Sequence, residues 1–156
     1  METLWRKVQR VLEPRTVLVA TLDPCCVREF RIMAIQEGWH IRFAPTLPHA
    51  LKARPVEGSC VVVYDLPGGD WRTGVKALSN FDHPVFCIVV SPRCDPGFRS
   101  MVLDCGGFDA TRKPLDRDHC AGLINGALTL AAEIDSCEAL VPAVYQDLPP
   151  QNTGIT

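Results

Sequence analysis

Five short apolar runs punctuate the chain: TVLVAT at 16–21, HIRFA at 40–44, CVVVYD at 60–65, PVFCIVV at 84–90 and, more weakly, FDATR at 108–112. They recur every 20–24 residues, the spacing of a strand, a loop, a helix and a loop repeated. The runs are almost continuously apolar. That is the pattern of parallel strands covered on both faces, not of strands with one wet side. The segments between them carry helix signals. Asp23-Pro24 reads as an N-cap followed by proline in the first turn, opening a helix to about Glu37 that Gly38 ends. A short helix spans Leu47–Arg54. Asp70 caps a helix from Trp71 to Asn80, in which Trp71, Val75 and Leu78 share a face. Asp95-Pro96 opens a fourth helix to Asp104, closed by Gly106-Gly107. Asp116 caps a long last helix, with Leu123, Ala127, Leu130 and Ile134 expected along its inner stripe. Five strands alternating with five helices predict an open, doubly wound parallel α/β sheet.

Two pieces lie outside this rhythm. Leu4, Val8 and Leu12 predict an N-terminal helix before Pro14, and DLPPQNTGIT at 147–156 is polar and proline-rich. The expected organisation is a helical extension over 1–14, one domain over 15–135 and a C-terminal extension over 136–156.

Composition narrows the function. Of the 156 residues, 47% are hydrophobic and 22% charged, enough to bury a core. The net charge is −2 and no Lys/Arg cluster occurs, so no nucleic-acid footprint is expected. No apolar run approaches the roughly 20 residues of a membrane span. The N-terminus lacks the long apolar core of a secretory signal, which points to the cytoplasm. Eight cysteines are present without a CxxC pair, so free thiols are expected rather than a disulfide framework or a zinc finger. Cys60 and Cys87 sit in apolar runs and read as buried packing residues.

In a doubly wound sheet, reactive groups gather at the carboxyl ends of the strands. The first strand delivers Thr21, Leu22 and Asp23 to that edge. The third delivers Asp65, the fourth Ser91 and the fifth Lys113, followed by Pro114. A carboxylate, a hydroxyl and an ammonium group thus converge. Each also has a local reading: Asp65 as a turn residue, Ser91 as the start of the SPRCDP turn, Asp23 as an N-cap, and Lys113 as a surface lysine.

The chain resembles a receiver domain of bacterial two-component response regulators over roughly residues 15–135. The resemblance rests on VVVYD ending in Asp65, on VVS ending in Ser91, and on GGFDATRKPLD with Lys113-Pro114; LDPCCVREF adds a weak match. It implies a flavodoxin-like (βα)5 fold. It also implies that Asp65 accepts a phosphoryl group from the phosphohistidine of a histidine kinase or phosphotransfer protein. Mg²⁺ would be held by carboxylates, here Asp65 and Asp23, with Ser91 and Lys113 on the phosphoryl oxygens. An ion offsetting the charge of an aspartate attacking a phosphoryl group is sound chemistry.

Three departures bear on that implication. The acidic pair expected directly after the first strand is Thr21-Leu22, and leucine cannot ligate a metal. The loop after Asp65 is short, reaching Asp70-Trp71 through LPGG. The aromatic position ahead of the lysine holds Ala110. Two versions of the reading follow: a phosphorelay receiver with a weak metal site, or a phosphorylation-independent pseudo-receiver acting as a docking or dimerisation module. In both, the domain is not an enzyme. About twenty residues follow the last helix, too few for a helix-turn-helix module, so either output is expected through contact with a downstream effector protein or a second copy of the chain, or the chain is one part of a longer protein. The rival from another class is a thiol enzyme on the same fold, using Cys25 or Cys26 in the first turn of a helix, where a thiol pKa is lowered; core packing is the favoured reading of both thiols, and the rival lacks a suitably placed base and a glycine-rich phosphate loop after the first strand.

Overall fold

The computed structural model describes residues 15–55 and 58–139. The chain alternates β1 (Thr16–Thr21), α1 (Pro24–Glu37), β2 (His40–Ala44), α2 (Leu47–Ala53), β3 (Cys60–Asp65), α3 (Trp71–Ser79), β4 (Val85–Ser91), α4 (Pro96–Asp104), β5 (Asp109–Arg112) and α5 (Arg117–Ala139). All strand pairs are parallel, in the order β2-β1-β3-β4-β5. This is the flavodoxin-like (βα)5 architecture expected from the apolar rhythm. The N-terminal extension expected over 1–14 and the tail of the C-terminal extension lie outside the described residues.

The near-continuous apolar strands are explained by two cores, one on each face. Val17, Val19, Val61, Val63, Ile88 and Val90 face α1 and α5, where they meet Phe30, Met33 and Ile124. Their neighbours in sequence, Leu18, Ala20, Val62, Tyr64, Cys87 and Val89, face the other way, onto α2, α3 and α4 through Ala50, Val75, Leu78 and Val102. Successive side chains alternate across a sheet, so a sheet covered twice needs apolar residues at every position.

The helices start where short polar side chains satisfy their first N–H groups. Asp23, Thr46, Asp70 and Asp95 each accept from a backbone N–H of the turn they open, and Asp116 accepts from His119 N–H at 3.2 Å. Gly38 ends α1 at φ 76°, a left-handed conformation that glycine adopts without a Cβ clash.

One expected face is corrected. The buried side of α5 is Cys120, Ala121, Ile124, Ala127, Leu128 and Ala131, while Leu130 is 41% exposed. Of the expected stripe, Ala127 is fully buried and Leu123 packs half-buried against the same core, so the departure is at Leu130, whose place is taken by Leu128 and Ala131. All eight cysteines are free. Burial pushes Cys60 up to about 11 and Cys87 up to about 12, so both are protonated packing thiols.

Close packing leaves no room for a Cβ at Gly74 or Gly107. A Cβ on Gly74 of α3 would stand 2.5 Å from Tyr64 Oη and 2.6 Å from its ring, while one on Gly122 of α5 would meet nothing within 4 Å. Gly74→Ala is expected to lose about 1–3 kcal/mol in urea unfolding, because the buried ring cannot retreat. Gly122→Ala is expected to gain about 0.5–1 kcal/mol from helix propensity alone. Equal effects from the two changes would show that Tyr64 does not press on α3.

Candidate functional site

The order β2-β1-β3 places a topological switch between β1 and β3, where the chain leaves the two strands in opposite directions and a crevice opens at their carboxyl ends. The register pairs Thr21 with Asp65 across that crevice. Thr21 is 4% exposed. Its hydroxyl donates to Asp65 Oδ2 at 2.9 Å and accepts from Asp23 N–H at 3.0 Å. Asp23 is therefore both things its position allowed. Its Oδ1 accepts from Cys25 N–H at 2.9 Å as the N-cap of α1, and its Oδ2 accepts from Lys113 Nζ at 3.0 Å.

Lys113 is the hub. It follows β5, its own N–H donating to Ser91 C=O at 3.1 Å, and its ammonium group lies 2.9 Å from Asp65 Oδ2 as well as 3.0 Å from Asp23. Partial burial opposes its charge, but the two carboxylates outweigh that and raise its pKa above the ordinary lysine range. The Lys113 hydrogen bond, helped by the Cys25 N–H, holds the Asp23 carboxyl below the ordinary carboxylate range. Asp65, Asp23 and Lys113 are thus brought together from three segments.

Ser91 is at the same edge but outside this network. Its hydroxyl accepts from Arg93 N–H at 3.2 Å, starting the turn after β4. It still lines an open trough of about 430 Å³ together with Asp65 and Lys113. Trp71 and Phe98, from the first turns of α3 and α4, wall that trough with ring centroids 5.2 Å apart. Leu22, 56% exposed, stands at its rim. Trp71 and Phe98 were not candidates from sequence, since the two rings meet only once the helices are placed. The signal available was that both stand in the first turn of a helix opened by an aspartate, Trp71 directly after Asp70 and Phe98 three residues after Asp95. Ala110 is buried beside Val89 in the core beneath α3 and α4.

The thiols split. Cys25 is exposed, whereas Cys26 is 2% exposed and burial, then the nearby Asp65 carboxylate, pushes it up to about 12. Cys26 is thus a packing thiol and not the reactive one a helix N-terminus could make: desolvation and a facing carboxylate dominate over the helix end. One atom each from Asp23, Cys26 and Asp65 lie within 4.8 Å of one another. Mg²⁺ requires near-octahedral oxygen ligation. Of the two residues replacing the acidic pair, Thr21 spends its hydroxyl on Asp65 and Leu22 has no donor atom, so the residues present do not suit Mg²⁺.

Solved structures similar in fold include response-regulator receiver domains. A CheY-like receiver domain protein from Methanospirillum hungatei JF-1 is similar with a TM-score of 0.63 at 14% identity, covering 78% of this chain and 98% of that one. The fold is that of a receiver domain. The receiver domain of a sensor histidine kinase from Pseudomonas aeruginosa, which has a magnesium ion coordinated in its active-site cleft, is similar at 0.62 and 16% identity over 75% of this chain and 99% of its own. The beryllofluoride-activated NtrC4 receiver domain dimer gives 0.62 and 19% over 74% and 98%. No family model and no curated protein matches the sequence. Among the described residues, no helix of this receiver fold is long and apolar enough to cross a membrane.

Lys113→Met removes the ammonium group that depresses Asp23, so the Asp23 carboxyl pKa is expected to rise toward the ordinary range in an NMR pH titration. A folded-state pKa below the unfolded one contributes stability that is present above the ordinary carboxylate range and lost as pH falls through the folded value. The acid limb of the unfolding curve should therefore flatten in Lys113→Met. An unmoved Asp23 pKa would mean that the ion pair is not formed in solution.

Proposed function

We propose that the chain is a cytoplasmic receiver-like signalling domain that acts through protein contacts and whose resting state does not depend on phosphorylation. The observation that carries this is the Lys113 ammonium group, bridging Asp65 and Asp23 at 2.9 and 3.0 Å. With Lys113 between them, the two carboxylates come within one charge of neutrality without a metal ion. Thr21 gives Asp65 a second donor, Leu22 offers no ligand, and Ala110 leaves no ring to report a change at the site. The partners are a downstream effector or a second copy of the chain. The domain is a signalling module and not an enzyme: the buried Cys26 is poorly suited to nucleophilic work.

The second reading is a working phosphorelay receiver that takes a phosphoryl group from a histidine kinase or phosphotransfer protein. One observation favours it: Asp65, Ser91 and Lys113 line the same open trough, so the carboxylate is reachable.

Intact mass after incubation with Mg²⁺ and acetyl phosphate separates the two, with Asp65→Asn as the control. The expected result is no adduct on either protein. A hydroxylamine-labile phosphoryl adduct on the native chain alone would overturn the first reading in favour of the second.

A further inference from the structure

β2 is an edge strand. It pairs with β1 on one side, and among the described residues no strand pairs with its other side. His40 N–H donates to Arg15 C=O at 2.8 Å, which turns the peptide groups of His40, Arg42 and Ala44 toward β1. Those of Ile41 and Phe43 therefore point outward, each offering a donor and an acceptor. Pro45, which has no N–H, ends the row. An open row of this kind is a template for one more strand.

The side chains along the edge say what kind of strand. Arg42 is level with Leu18 and faces the α2 side, exposed, as does His40. Ile41 and Phe43 are half-buried on the α1 side. There the Arg31 guanidinium lies over the Phe43 ring, 5.5 Å from its centroid, and Ile35, one turn further along α1, is 84% exposed. The acids of α1 turn elsewhere: Glu29 is held by Arg117 and Glu37 by Asn125, both on α5. The edge is left basic on one face and partly apolar on the other, in a chain whose net charge is −2.

This pattern selects the occupant. A phosphate backbone offers acceptors alone, so a nucleic acid would leave the outward C=O groups of Ile41 and Phe43 without donors. A second copy pairing through the same strand would set Arg31 and Arg42 against their own counterparts. An extended peptide answers both the backbone row and the charge. We propose that the outer edge of β2 binds an acidic segment of a partner protein as a sixth strand, with carboxylates beside Arg42 and apolar side chains beside Phe43 and Ile35. The inference rests on the reading that the domain signals through protein contacts. None of these residues lines the Asp65 trough, so peptide binding and phosphorylation are tested separately. Failure of the peptide would refute the surface and leave the signalling reading standing.

The probe is a fluorescent peptide of alternating valine and glutamate, VEVEVEV, titrated with the full-length chain and followed by anisotropy. Saturable binding is expected, weakened by salt. At saturation the Ile41 and Phe43 amides should exchange with solvent at least about tenfold more slowly in NMR. Arg42→Glu, at an exposed position that does not threaten folding, is expected to weaken binding at least about threefold. A peptide with lysine for glutamate should not bind, nor should VEVEVEV with alternate amides N-methylated, which removes the ladder without touching the protein. No saturable binding, equal binding of either control peptide, or full affinity in Arg42→Glu would each overturn the proposal. So would displacement of the peptide by oligo-dT. Protection of the Ile41 and Phe43 amides in the free chain would do the same, since residues 1–14 or a second copy would then hold the edge.

Discussion

Two carboxylates delivered to the same edge of a buried sheet need a cation between them, and Lys113 is the one this chain supplies. Parallel strands covered on both faces leave only their ends open to water. The right-handed crossovers send every carboxyl end to one side, so Asp65 from β3 and Asp23 from the β1–α1 junction converge. Neither can be moved without cost. Asp23 is tied to the first turn of α1 through its other oxygen, and Asp65 is held by the Thr21 hydroxyl of the neighbouring strand. The loop after β5 brings the ammonium group into reach because Lys113 N–H is anchored on the Ser91 carbonyl at the end of β4. The ion pair therefore joins β1, β3, β4 and β5 at one point.

Much of the architecture was legible in the sequence because its signals are local. A helix N-cap is one short polar side chain and the turn that follows it, and Asp23, Asp70, Asp95 and Asp116 all stand where helices begin. A doubly covered strand announces itself as an unbroken apolar run, as CVVVYD does. The inner face of α5 was less legible. Its pattern mixes alanine with leucine, and the alanines, which carry little hydrophobic weight in a periodicity argument, make up half of the six residues it buries.

The site was legible only where one residue per strand end decides it. Asp65, Asp23 and Lys113 meet as their positions implied. Ser91 reaches the same edge, but its hydroxyl accepts from Arg93 N–H in the turn after β4, the local reading its place in SPRCDP also allowed. The Trp71–Phe98 pair depends on the separation of α3 and α4, which no local pattern encodes. Cys26 shows the same limit in its electrostatics. Its neighbour Cys25 shares the helix end, yet one thiol is in water and the other beneath it against Asp65. A helix N-terminus favours a thiolate only when desolvation and neighbouring anions do not cancel it.

Thr21 and Leu22 are usefully considered together. An acidic pair at those places would bring the edge to four carboxylates with Asp23 and Asp65, a charge that one ammonium group could not balance and that would call for a metal. With a hydroxyl and an isobutyl group there, the two remaining carboxylates and Lys113 come within one charge of neutrality on their own. The cation requirement of the fold is then met internally. The hydroxyl further serves the internal solution, because it donates to Asp65 where a carboxylate would repel it. The leucine turns outward beside Leu66 and Pro67, making the rim of the trough apolar where a metal-loaded edge would be hydrated. A single pair of substitutions thus changes both what balances the charge at this edge and what surface the edge presents to another molecule.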